Sequence, residues 1–539
     1  MNNMDISLFE SQACESAPKI EINKEHESFL KHFTPHTIGC FLYALFYTFC
    51  LYRNMSGITY PFFIGGTLLY FAYYSKKYGV TAKSDNRFLW ISMLILGTLT
   101  CLTDSWIFAF FNNALAFVLL CVLILDSYYE NHSWDIGTHI QAVFYLCIGS
   151  LFHIFSFVSD FLLFRKIKEY LNTKTISDDM KQQKSDKKAK IKRIIFSVSI
   201  GLVLSFPAFI ILLLLLCSAD ALFYELVCDI VTLDFLPEWE FNSSIFNIGI
   251  KIVFVFLLTY GVWHYLHKYT PNANIGNKKK TDFDVYIGIT ITGVTALLYF
   301  VFCMVQIFGL FLGKLSLPEG YTYASYARQG FFQLAFVCAF NIVLVLGCLK
   351  YFTENIVLKG ILTFISICTY IMIFSSAYRM LLYINQYHLT LLRVFVLWCL
   401  VIMFIMMAGV IYHTYHRQFR LFRYFLTIIT TGYILLSGSH PDYWIARYNV
   451  TYAEGIQDLD RNYLLYTLSL DTAPFIYSDI FLTKCKDWEW ESFYQKYLYQ
   501  IQFATEDMNW RTFNFSRAYA RDQAYKIDPD NNLYFTEME

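Results

Sequence analysis

Residues 209–216 read Phe-Ile-Ile-Leu-Leu-Leu-Leu-Leu (FIILLLLL). A strand with one face in lipid would alternate apolar with polar side chains, and this stretch does not alternate. Where no water can take up backbone N–H and C=O groups, a helix satisfies every one of them within its own segment. Such a helix needs about 20 mainly apolar residues to cross, and the surrounding run, 194–218, is long enough. Comparable runs lie near 38–52, 57–75, 88–103, 107–125 and 139–164 on one side of it. On the other side they lie near 245–266, 284–312, 331–349, 361–383, 390–412 and 424–438. The expected fold is therefore all-α, a polytopic transmembrane bundle of about twelve spans with a small helical C-terminal extramembrane domain.

Composition agrees. Hydrophobic residues make up 56% of the 539, charged ones 16% and aromatics 19%, with mean hydropathy +0.42. Soluble domains run at roughly 45–50% apolar and about 25% charged. Disorder, collagen-like repeats, coiled coil and a small disulfide scaffold are excluded. The 42 Lys and Arg balance the 42 Asp and Glu, but residues 441–539 carry 16 acids against 9 bases, leaving +7 on residues 1–440. The bases sit in short loops beside apolar runs, where membrane orientation accounts for them without a nucleic-acid partner. The polar segment 1–36 lacks a basic n-region and a small-residue cleavage site, so no removable signal peptide is expected there.

Positive charge orients the bundle. Arg165–Arg193 holds eleven Lys and Arg, Lys278–Lys280 are consecutive, and Arg417, Arg420 and Arg423 cluster; all three segments should face the cytoplasm. Ala219–Asn242 is acidic and without a base, so it should lie outside, with Gly313–Gly330 and the C-terminal hundred residues. The expected organisation is a tail (1–36), a first transmembrane region (37–164), a basic linker (165–193), a second transmembrane region (194–440) and a helical tail (441–539). Helical spacing in that tail is clearest over Asp460–Ser469, Trp488–Phe503 and Arg511–Lys526. The first region resists a simple count. Three runs separate the basic loop Lys76–Arg87 from the basic linker, an odd number. Either residues 88–125 turn back around Asp104, or Lys76–Arg87 breaks the charge rule.

Catalytic signatures are missing: no GxxxxGK[ST], no GxGxxG after a strand, no GxSxG and no HExxH occurs. The 14 cysteines form no CxxC pair and sit mostly inside apolar runs, as small core residues do. Cys228 and Cys485, both expected outside, could pair. His264/His267 and His413/His416 each place two imidazoles on one helical face, yet neither pair has a carboxylate or cysteine near it in sequence, so no metal and no cofactor is expected. Ionisable groups at membrane depth are functional suspects by default; here they are Asp104, Asp220, Lys251, Arg328, Arg379 and Arg393. Guanidinium groups grip carboxylates and phosphates, and tyrosines supply rigid walls with a polar tip. A candidate outer pocket for an anionic or lipid-linked ligand is thus Arg328, Arg379 and Arg393 with Tyr321, Tyr326 and Tyr383. Salt bridges fastening the tail to the bundle explain the same arginines.

Four stretches carry a resemblance: Ser218–Phe223 (SADALF), Leu317–Leu334 (LPEGYTYASYARQGFFQL), Ser375–Val394 (SSAYRMLLYINQYHLTLLRV), and Pro441–Pro474 with PDYWIARYN and DRNYLLYTLSLDTAP. Their order and spacing, over roughly 194–474, resemble a bacterial family of polytopic membrane proteins, domain of unknown function 4173, with a sister family, 4153. The resemblance implies a multi-pass protein of the cell membrane and puts Asp220, Arg447, Asn449 and Asp471, with the three arginines, at motif positions. At His388 the family more usually has glycine, which loosens any need for a left-handed backbone at that turn. The family carries no settled activity. A non-enzymatic sensing or scaffolding component that binds an extracytoplasmic protein through its tail comes first. A transporter or lipid-handling protein is second, and an enzyme acting on a lipid-linked substrate third.

Overall fold

The computed structural model describes residues 24–54, 56–77, 80, 86–129, 131, 134–173, 243–269, 283–311, 331–452, 460, 462–485, 491–506 and 508–527. Helices dominate, and among the described residues the one β-bridge joins Phe283 to Phe352. They are α1 Lys24–Leu51, α2 Thr59–Lys77, α3 Arg87–Leu102, α4 Trp106–Tyr128, α5 Ile136–Phe152, α6 Ser156–Thr173 and α7 Ser243–Tyr269. Then come α8 Val285–Val305, α9 Phe331–Tyr351, α10 Ile356–Tyr387, α11 Leu391–Tyr415 and α12 Leu421–Gly438. The tail holds α13 Pro441–Tyr452, α14 Ala473–Ile476, α15 Asp479–Cys485, α16 Glu491–Thr505 and α17 Phe515–Ile527. The apolar run 194–218 and the Cys228–Cys485 pairing lie outside the described residues or side chains.

Among the described residues, seven helices are long and apolar enough to cross a membrane: Trp106–Tyr128, Phe246–Lys268, Val285–Phe308, Phe331–Tyr351, Ile356–Tyr387, Leu391–Tyr415 and Leu421–Gly438. Their outward faces are apolar, with Val294, Leu297, Leu298, Phe336 and Leu435 all exposed. So much uncovered hydrocarbon suits lipid and not water. This is an integral membrane protein of helical type. The expected run 139–164 is not one helix: Ile136–Phe152 and Ser156–Lys168 are bent by 55° at their junction.

Contacts divide the chain into two units. In the larger (49–146 and 270–539), α3 packs on both α2 and α4, while α10 takes α8, α9 and α11 against it and α11 packs on α12. Gly97 lets α3 lie close on α2, since a Cβ there would meet Ile64 Cγ1 at 2.9 Å. One cluster of buried side chains, around Val345, Leu362, Ile365 and Met407, fills one half of α8–α12. A second, around Cys338, Met372, Met380 and Leu400, fills the other. The tail has its own core of Ile445, Leu465, Phe475, Phe481, Tyr497 and Ile501, which also takes in Leu389, Leu391 and Val394 from the α10–α11 turn.

The bundle of the larger unit has two chemically distinct ends. One gathers bases and their partners: Arg423 Nη2 lies 2.6 Å from Asp126, Lys350 Nζ 2.9 Å from Asp135, and Glu354 takes Lys359 and Arg417. Lys76 and Lys77 close α2 at that end. The tail covers the other.

In the smaller unit (1–48 and 147–269), α6 packs on α7. The order of contacts along α7 reverses. Gly149 faces Tyr265 and Gly261 faces His153, then Phe157 meets Phe256 and Tyr260, and Asp160 reaches back to His264 at 2.9 Å.

Candidate functional site

The short turn Thr103–Asp104–Ser105 between α3 and α4 is where the tail docks. Asp471, nearly fully buried, accepts four hydrogen bonds: from Thr103 Oγ1 at 2.5 Å, Asp104 N at 2.8 Å, Ser516 Oγ at 2.6 Å and His440 Nδ1 at 3.2 Å. Asp104 in turn accepts from Leu470 N at 3.1 Å and from Arg517 Nε at 2.5 Å. Asn514 donates to the carbonyls of Ser56 and Thr103, both at 2.9 Å. Asp442 accepts from Ser469 N and Oγ through one oxygen, while its buried Oδ1 has no partner among the described residues. Asp104, one of the ionisable suspects, is a docking residue, and α4 behind it is a full-length apolar helix.

Burial dominates the electrostatics. Desolvation pushes Asp442 up to about 6, with Asp471 and Asp104 adding repulsion against the Ser469 bonds. Desolvation also raises Asp104, offset in part by Arg517. For Asp471 the same desolvation is overcome by its donors, His440 first, so its carboxyl is held low; the hydrogen bond to Asp471 raises His440 against its own burial. The signs follow by linkage. Contributions from Asp442, Asp104 and His440 are present at low pH and lost as pH rises through their folded values. That from Asp471 is lost as pH falls through its lowered one. Tail docking should therefore be strongest in mildly acid solution and weaken above about pH 6. Asp442→Asn keeps an acceptor for Ser469 and removes the buried charge. It should raise stability at pH 7.5 by on the order of 2 kcal/mol and flatten the decline between pH 5 and 7, as thermal melts across that range would show.

Of the expected ligand pocket, Arg379, Arg393 and Tyr383 fall among the described residues. Tyr321, Tyr326, Arg328 and Asp220 lie outside the described residues. Arg379 is buried and donates to Gln306 Oε1 at 3.1 Å, the same oxygen that Ser375 Oγ reaches at 2.7 Å. Gln306 opens a π-helical turn that ends α8. Arg393 and Tyr383 do come together: the guanidinium lies 4.3 Å from the ring centroid and donates to the carbonyls of Tyr387 and His388. Both line a cavity of about 350 Å³ with Phe331, Phe332, Met380, Thr390 and Leu392. Arg379 is not in its wall, and Arg447 is exposed against Trp444 and Tyr443.

The turn that shapes this cavity is held from the tail. Asn449 Oδ1 accepts from Leu389 N at 2.8 Å while its Nδ2 donates to Leu389 O at 2.9 Å, and Tyr463 Oη accepts from Leu391 N at 2.7 Å. The residue before the clamp, His388, has φ 62° and ψ −176°, a region that belongs almost wholly to glycine. The expectation that histidine loosens the backbone requirement is thus corrected: the strained turn is kept, and Arg393, Asn449 and Tyr463 hold it. His388→Gly should stabilise the folded chain by about 1 kcal/mol, measured as a higher Tm.

Three features were missed in the sequence. Asp126 sits at the end of an apolar run and is matched to Arg423 some 300 positions later, so nothing local announces it. Asp442 follows a proline and looks like an ordinary helix-start acid. Asp160 answers the objection to the first histidine pair, since it accepts from both His264 and Tyr260. Even so, no group of three His, Cys, Asp or Glu among the described residues could hold a metal ion.

Residues 90–478 match a family described as a domain of unknown function (DUF4153), well over half of the 539-residue chain. The match falls on the sister of the family whose motifs the sequence resembles, and it reaches further forward, taking in α4, the docking turn and most of α3. No curated protein and no solved structure matches.

Proposed function

The chain belongs to the DUF4153 family, and from that premise we propose that it is a non-enzymatic sensing or scaffolding component of the cell membrane that presents its C-terminal helices to a protein partner outside the cytoplasm. The observation that carries this reading is the docked tail. A buried network seats it on the bundle, yet α16 turns Tyr499 and Phe503, each about 70% exposed, outward on one face. Exposed aromatics one helical turn apart are anchor groups for a partner surface. Photo-crosslinking from positions 499 and 503 in cells should capture one recurrent protein, whereas Phe336 on the bundle should capture lipid. Lipid adducts alone from 499 and 503 would remove this reading.

Topology supports the placement. Lys76, Lys77 and Arg87 lie at the same end of the larger unit's bundle as Arg417 and Arg423, and the positive-inside rule puts that end in the cytoplasm. The bent pair α5–α6 fits either a broken span or a re-entrant loop, and its reversing contacts along α7 favour the second. On the re-entrant reading the parity conflict of the charge rule disappears. On that reading the tail lies outside the cytoplasm. A second reading, a transporter or lipid-handling protein that takes an anionic ligand on the tail side, is favoured by the cavity at Arg393.

A further inference from the structure

The geometry points to a phospholipid headgroup as the occupant of the cavity beside Arg393, with the guanidinium holding the lipid phosphate and the acyl chains lying on the exposed wall. The inference rests on the reading that this cavity takes an anion, and it names the class. Arg393 makes no ion pair with a carboxylate among the described residues; its partners are two carbonyl oxygens and the face of Tyr383. Those contacts fix the direction of the planar group without neutralising its charge, which leaves a preset cation in a half-buried position. A hydrated soluble anion would meet poor walls here. Phe331, Phe332, Met380 and Leu392 are apolar, and Phe332 and Leu392 stay about half exposed, at 48% and 58%. Side chains of that kind at the rim of a transmembrane bundle face acyl chains. A phosphodiester joined to two hydrocarbon tails matches both parts of the site at once, where an isolated phosphate matches one. The cavity, about 350 Å³, has room for a headgroup but not for a whole lipid, so the chains must run outward along Leu392 and Phe332.

The test uses the full-length chain purified in a neutral detergent. Probes are dioleoyl phosphatidylglycerol, dioleoyl glycerol (the same chains without phosphate) and glycerol 3-phosphate (the head without chains). Binding is followed by native mass spectrometry and thermal shift. The phospholipid should be retained and raise Tm, with the other two at least tenfold weaker. Arg393→Gln should abolish the preference for the phospholipid over dioleoyl glycerol. Because Arg393 also ties the turn carbonyls, Phe332→Glu serves as the second variant: it sets a carboxylate in the exposed wall, leaves those bonds intact, and should lower phospholipid retention by tenfold or more. Equal binding of glycerol 3-phosphate would overturn the lipid assignment and leave the anion reading standing. Equal binding of dioleoyl glycerol, or no binding of any phosphate-bearing probe, would overturn both.

Discussion

Asp471→Ala should release the C-terminal helices from the bundle. The substitution strands the hydroxyls of Thr103 and Ser516, the N–H of Asp104 and the Nδ1 of His440, which all converge on one carboxylate. A buried donor left without its acceptor costs about 1–3 kcal/mol, more where the lost acceptor was charged. Allowing for partial collapse of the site, a loss of roughly 3–5 kcal/mol is expected, a large part of a typical domain's total of about 5–15 kcal/mol. Limited trypsin digestion should cut the tail at Arg511, Arg517 or Arg521 in the variant under conditions where the parent chain resists. Asp471→Asn offers a single acceptor oxygen and turns an amide toward groups that are themselves donors, so it should rescue little. A variant as resistant and as heat-stable as the parent would mean that this network does not hold the tail.

The second large effect lies at the opposite end. Arg423→Ala leaves Asp126, whose side chain is 0% exposed, with Asn131 as its remaining close donor. Removing one partner of a buried ion pair costs about 3–5 kcal/mol because the other charge stays behind. Replacing Asp126 by Asn in the same chain removes that stranded charge, so the double variant should be more stable than Arg423→Ala alone. This non-additive outcome separates an ion pair from two independent packing contacts. A double variant whose loss equals the sum of the single ones would argue against the pairing.

Architecture was legible in the sequence because the rule behind it is local. An unbroken apolar run such as 331–349 leaves its backbone no alternative to a helix in lipid, and the structure forms one at Phe331–Tyr351. The run 139–164 misled because hydropathy averages over a bend: His153 and its neighbours interrupt the helix without lowering the mean enough to be seen. No periodicity reports that bend. Tail helices were visible in part. α16 and α17 carry helical spacing, while the π-helical and 3₁₀ turns at Tyr463–Thr467 and Leu470–Thr472 are set by tertiary bonds such as Ser469 to Asp442.

The candidate site was legible as residue types but not as partnerships. Arg379 and Arg393 are equally plausible anion anchors when read along the chain. The fold separates them: Arg379 is turned to Gln306 in the bundle interior, and Arg393 opens on a cavity. Asp471 stood out as a motif position, and it is filled by hydroxyl, amide and imidazole donors. Side chains brought together across hundreds of positions, such as Asp104 with Arg517 or Asp126 with Arg423, obey no spacing that one sequence can display.

Everything proposed for the tail requires it to lie across the bilayer from the lysine-rich loops, and single-cysteine accessibility tests that arrangement directly. Cysteines placed at Ser177 and Asn277 should react with a membrane-impermeant maleimide only after the cells are opened, while those at Asn242 and Asn509 should react in intact cells, each compared with the parent chain. Labelling at Asn509 confined to opened cells would put the tail on the cytoplasmic side and contradict the account.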